Sequence, residues 1–284
     1  MEWKGRDQSS NVDDRRRSTG RTVGGLGCLG TIVMVLLVWL LGGDPLQFLQ
    51  QQVGTQSPQT QQTHQPSAAE DELAQFVSVV LKDTEDVWSK LFRENYGREY
   101  VKPTLVMFTG STQSGCGFAS AQTGPFYCPA DNKLYIDLSF YQDLKNKFKA
   151  PGDFAMAYVI AHEVGHHVQN LLGIHDQVQS QRRRLSEAEN NQMSVRVELQ
   201  ADFLSGVWAH HAQKMKSILE PGDIEEALNA ANSIGDDRLQ RQSQGQVTPD
   251  SFTHGSSAQR MKWFKKGFDT GDVSQGNTFN TGDL

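Results

Sequence analysis

The stretch His162-Glu163-Val164-Gly165-His166 constrains this chain more than any other. Histidines at i and i+4 share one face of a helix, so both imidazoles can reach one metal ion, with Glu163 one residue out of step beside them. The neighbouring residues predict that helix. Phe154, Ala157, Tyr158, Ala161, Val164, Val168 and Leu171 form an apolar stripe, Asp153 after Pro151-Gly152 supplies an N-cap and Gly173 a stop.

A catalytic zinc takes about three protein ligands and keeps a position for water, so two histidines make an incomplete site. Glu198, in Glu198-Leu199-Gln200-Ala201-Asp202, is the best third ligand. It lies on a second predicted helix, which opens with the capping box Ser186-Glu187-Ala188-Glu189 and buries Val197, Ala201, Leu204, Trp208 and Met215. Asp202, one turn further on, is placed to accept a hydrogen bond from the free ring nitrogen of a ligand histidine. Glu163 suits a general base acting on metal-activated water. His167 is rotated away from the two ligands and reads as an outer or surface group; His210 and His211 read as helix-end residues, and His64 and His175 as loop residues.

The order His162-Glu163-x-x-His166, then Glu198-x-x-x-Asp202, resembles the gluzincin pattern. Thr253-His254-Gly255-Ser256-Ser257-Ala258-Gln259-Arg260 is similar to the threonine-histidine motif with a later arginine in HtpX-like and CAAX-protease-like gluzincins, although Gly255 stands where HtpX-like proteins have proline. With Gly124-Pro125-Phe126-Tyr127-Cys128-Pro129 and an N-terminal apolar segment, the chain resembles the bacterial YpfJ-type neutral zinc metallopeptidases over nearly its whole length. The resemblance implies an α+β, zincin-like domain, mainly helical with a small sheet. It also implies Zn2+ on His162, His166 and Glu198, Glu163 as base, His254 helped by Arg260 at the oxyanion, and a peptide or protein substrate pairing with an edge strand. The competing reading is a membrane-tethered zinc-containing binding or scaffold protein without peptidase activity. Glu163 argues against it, since a structural site needs no base.

The remaining organisation follows from composition. A formal net charge of −6 and the lack of a basic, aromatic-interleaved patch argue against a nucleic-acid partner. Residues 1–21 are polar, without apolar period, and read as a disordered cytoplasmic N-terminus. Residues 22–43, uncharged from Val23, are long enough for one transmembrane helix. Lys and Arg precede that segment and are missing from residues 44–81, which orients the chain with the N-terminus in the cytoplasm and the catalytic domain periplasmic or extracellular. Residues 44–69 read as a flexible linker, 70–268 as the metallopeptidase domain and 269–284 as a flexible tail.

Within the domain, a long amphipathic helix runs from Leu73 to Phe92 and ends near Gly97. Leu105–Phe108 and Lys133–Leu138 read as strands, and further helices follow Gly222 and the capping box at Ser256, the last stopping at Gly267. In an exported domain Cys116 and Cys128 can form a disulfide, which would stabilise by roughly 3 kcal/mol in the chain-entropy model.

Overall fold

The computed structural model describes residues 1–17, 65–282 and 284. The apolar segment 22–43, Cys28 and His64, with nearly all of the expected linker, lie outside the described residues. Among the described residues no helix is long and apolar enough to cross a membrane.

The first strand, β1 (Val12–Asp14), belongs to a segment expected to be disordered. It pairs in parallel with β2 (Thr104–Phe108), Val12 opposite Leu105 and Asp14 opposite Met107. Polar anchors fix it instead of apolar periodicity. Ser9 and Asn11 donate to Glu85 Oε1 at 2.5 and 2.7 Å, Arg6 pairs with Asp83 at 2.6 Å, and Trp3 packs edge-on against Phe76. Met1–Arg15 and Pro66–Leu284 therefore form one folded unit. This corrects the expected disorder of these residues.

The helix α1 (Ala68–Tyr96) carries Asp83 and Glu85 and forms for local reasons. Ser67 and Glu70 cap each other reciprocally, and Gly97 ends the helix at φ 62°, a left-handed value that suits glycine. Val77, Val80, Leu81, Trp88 and Leu91 are buried from its inner face.

The hairpin β3 (Ser111–Ser114) and β4 (Gly117–Ser120) stands apart from the main sheet, which is completed by β5 (Phe126–Cys128) and β6 (Lys133–Asp137). Strand order is β1-β2-β6-β5, with β2 and β6 parallel and β5 antiparallel to β6, so β5 is an edge among the described residues. The Cys116–Cys128 disulfide ties the hairpin to that edge.

The short helix α2 (Phe140–Asn146) leads to α3 (Asp153–Leu171), which carries the histidine pair and is buried along most of its length. Gly152 is its N-cap, and Asp153 its first residue. After α4 (Ile174–Arg182), the expected box of Ser186 and Glu189 caps α5 (Glu187–Lys216). Met215, read as core, is 40% exposed, because it lies in the last turn of α5. Then follow α6 (Asp223–Ser233), α7 (Asp236–Gln244) and α8 (Ser257–Thr270), which packs along α5.

Two glycines set the α5–α8 distance. A Cβ on Gly206 would lie 2.1 Å from Phe264 O, and one on Gly267 2.0 Å from Phe203 O. Gly267 is thus a contact point inside α8 and not its stop; the helix ends at Gly271, φ 62°. The tail beyond is pinned and not flexible: Gln200 Nε2 donates to Gly276 O at 2.8 Å, Arg196 to the carbonyls of Thr278 and Thr281, and Thr278 Oγ1 to Arg196 O at 2.6 Å.

Candidate metal centre

Helix spacing on α3 puts His162 and His166 side by side, and α5 crosses so that Glu198 faces both. The crossing is close, since a Cβ on Gly165 would lie 3.0 Å from Ala201 O. Glu198 Oε2 is 3.1 Å from His162 Nε2, and Oε1 is 3.4 Å from His166 Nε2. Ligand atoms about 2.0–2.1 Å from a tetrahedral zinc stand roughly 3.3 Å apart, so both glutamate–histidine spacings fit that ion, and all three ligand atoms lie within 4.8 Å of one another.

The electrostatics favour a cation at the same place. Burial opposes charge on His162, but Asp202 and Glu198 outweigh it and push the imidazole up to about 10. Burial likewise opposes ionisation of Glu198, and the neighbouring histidines, His166 foremost, hold its carboxyl well below the usual range. The donor set of two imidazoles and a carboxylate suits zinc.

Each histidine is oriented through its other nitrogen. His162 Nδ1 is 2.8 Å from Asp202 Oδ1, the partnership expected from the sequence. His166 Nδ1 is 2.9 Å from Gln169 Oε1, and the Gln169 amide donates to Val197 O at 2.7 Å and Gln200 Oε1 at 3.0 Å. Gln169 was missed, although its place three residues after His166 on α3 was a usable signal. One ligand is thus backed by an anion and the other by a neutral amide.

Asp202 is fully buried and needs compensation, which Arg260 supplies. Arg260 donates from Nε to Oδ2 at 2.8 Å and from Nη2 to Oδ1 at 2.9 Å, while the Tyr158 hydroxyl donates to Oδ1 at 2.5 Å. Burial works against the Asp202 charge, but Arg260 and His162 hold its carboxyl down at about 2. Arg260 was expected to help at the oxyanion. Its guanidinium, 3% exposed, binds both oxygens of Asp202 and also lines the cleft, so it supports His162 through that carboxylate.

Glu163 opens into the same cleft of about 1170 Å³, whose lining includes Phe126, Tyr127, Phe140, His162, His166 and His254. Burial raises the Glu163 carboxyl above its ordinary value against the pull of both histidines, which brings a base nearer to neutral pH. The Tyr127 backbone N–H faces it and pulls the other way.

His254 precedes α8 in a loop held by one carboxylate. Asp236 Oδ2 accepts the backbone N–H groups of Thr253, His254 and Gly255 at 2.7, 2.6 and 3.0 Å, and Asp236 Oδ1 lies 3.3 Å from His254 Nδ1. That hydrogen bond raises the imidazole above its usual value, against burial. From the sequence, Asp236 reads only as an acidic residue in a helix's first turn.

The other histidines hold structure. His210 and His211 face the carbonyls of Phe268 and Gly271, and His175 Nε2 is 3.1 Å from His166 O on α4 and not in a loop. His167 is fully buried.

A helix-borne histidine pair and a glutamate from a crossing helix, with Glu163 beside them, make a group that could hold a metal ion. The chain belongs to the family described as "putative neutral zinc metallopeptidase", whose model matches residues 1–279. It is 52% identical over 285 residues to "Uncharacterized protein YpfJ" of Escherichia coli (strain K12), covering 98% of this chain and 99% of that one. It is 45% identical over 195 residues, 65% of each chain, to "Uncharacterized protein Rv2575" of Mycobacterium tuberculosis (strain ATCC 25618 / H37Rv). No solved structure matches.

Proposed function

We propose that this protein is a zinc-dependent endopeptidase. The observation that carries this reading is the convergence of His162, His166 and Glu198 with Glu163 left unligated at an open cleft. Bound zinc supplies Lewis acidity, which polarises a carbonyl and acidifies water. Glu163 takes the proton of the attacking water and passes it to the leaving amine. His254 donates to the oxyanion, and Asp202, clamped by Arg260, keeps the His162 tautomer that leaves Nε2 free for the metal. A structural site closes with about four protein ligands, whereas the described residues bring three here.

The zinc assignment predicts that Glu198→Ala loses most of its metal on dialysis while Gln179→Ala, a substitution at the cleft rim, keeps about one ion per chain. Metal content by mass spectrometry decides it, and equal content in the two would remove Glu198 from the site.

The role of His254 predicts a pH dependence. Asp236 accepts from Nδ1, so Nε2 carries a proton only in the imidazolium. Donation is therefore present below the raised pKa of His254 and is lost as pH rises through it. Asp236→Asn should move the alkaline limb of kcat/KM to lower pH, and an unmoved limb would exclude His254 as its source.

We further propose that the catalytic body works in an oxidising compartment, which the Cys116–Cys128 disulfide supports. We also propose, from their sequence, that residues 22–43 anchor the chain to a membrane.

A further inference from the structure

The third histidine of the motif, His167, is spent on neither metal nor surface. Its Nε2 is 2.6 Å from Val101 O, which can only accept, so Nε2 carries the proton. No carboxylate is among its hydrogen-bond partners, and the ring is fully buried. Nδ1 lies 3.1 Å from the Tyr127 hydroxyl. That hydroxyl donates to Asn132 Oδ1 at 2.9 Å and accepts from Asn170 Nδ2 at 2.9 Å, so the side chain is held from α3 and from the start of β6 together.

Tyr127 is the middle residue of the edge strand β5. It stands opposite Leu134 and lines the cleft with Glu163, its backbone N–H facing that carboxylate. In an antiparallel pair the carbonyl of such a residue points the same way. One backbone position thus meets the proposed base and offers an acceptor to an extended peptide.

We propose that His167, acting with Asn170 through Tyr127, is a positioning residue that fixes β5 against α3 at the spacing that seats the Tyr127 amide on Glu163 and presents the outer edge of β5 to a peptide backbone. This rests on the peptidase reading for its kinetic consequence, and on geometry alone for the contact.

The test uses the full chain and the variants Tyr127→Phe, His167→Gln and the pair combined. Tyr127→Phe deletes one oxygen and remains informative even where His167→Gln fails to fold. Hydrogen exchange at the Tyr127 amide, zinc content, and kcat and KM on an unstructured peptide are measured well below the unfolding temperature. Each single variant is expected to exchange about tenfold faster and to lose about tenfold in kcat, with zinc unchanged and KM within about twofold; misplacing a reacting group by about 1 Å costs up to about a hundredfold. The combined variant should be no worse than the worse single one, because both act through one hydroxyl. Parental exchange, parental kcat, additive losses or loss of zinc would each overturn the proposal. A parent that cleaves nothing would contradict the peptidase reading instead, and the exchange rates would still decide the contact.

Discussion

Glu163→Gln is expected to keep the fold and about one zinc ion per chain while kcat falls by about a hundredfold to ten-thousandfold, the range for a lost general base. The substitution conserves size and removes only proton acceptance. Glu163 is not among the converging ligand atoms, so metal content should not change. Its carboxyl is raised by burial in the cleft wall, which matches a group that must accept a proton and release it again near neutral pH. Circular dichroism, zinc content and cleavage measured on the same preparation separate this outcome from unfolding. Parental turnover in the variant would remove Glu163 from the chemistry.

Arg260→Ala is expected to destabilise the protein by roughly 3–5 kcal/mol, because it leaves the fully buried Asp202 without its compensating charge. For a domain of this size that corresponds to a fall in Tm of about 10 °C. The loss should spread to the metal, since Asp202 also orients His162. Arg260→Lys keeps a charge but not the two-pronged contact to both carboxylate oxygens, so its loss should be intermediate. Thermal unfolding with and without added zinc measures both effects. A parental Tm for Arg260→Ala would show that Asp202 is neutralised in another way.

Much of the site was legible because its chemistry obeys short sequence periods. The His162/His166 pair and the Glu198/Asp202 pair each share a helix face, and the boxes at Ser186 and Ser256 mark where α5 and α8 begin. What escaped depends on partners far along the chain. Asp236 holds its loop from eighteen residues before His254, and the grip of Arg260 on Asp202 spans 58 residues. Met1–Arg15 has no apolar period because Glu85 and Asp83 of α1 hold it through polar contacts, a signal that hydropathy does not carry. The tail was misread for the same reason, since Gln200 and Arg196 of α5 grip its backbone. Gly267 reads as a stop in sequence and serves as the contact of two helices in space.

Hydrolysis of an unstructured peptide by the purified protein, followed through removal of zinc with a chelator and its restoration, tests the central claim most directly. Cleavage at internal peptide bonds that stops with the chelator and returns with about one zinc ion per chain is the expected result; cleavage that persists in the chelated protein, or none in the fully zinc-loaded protein, would contradict it.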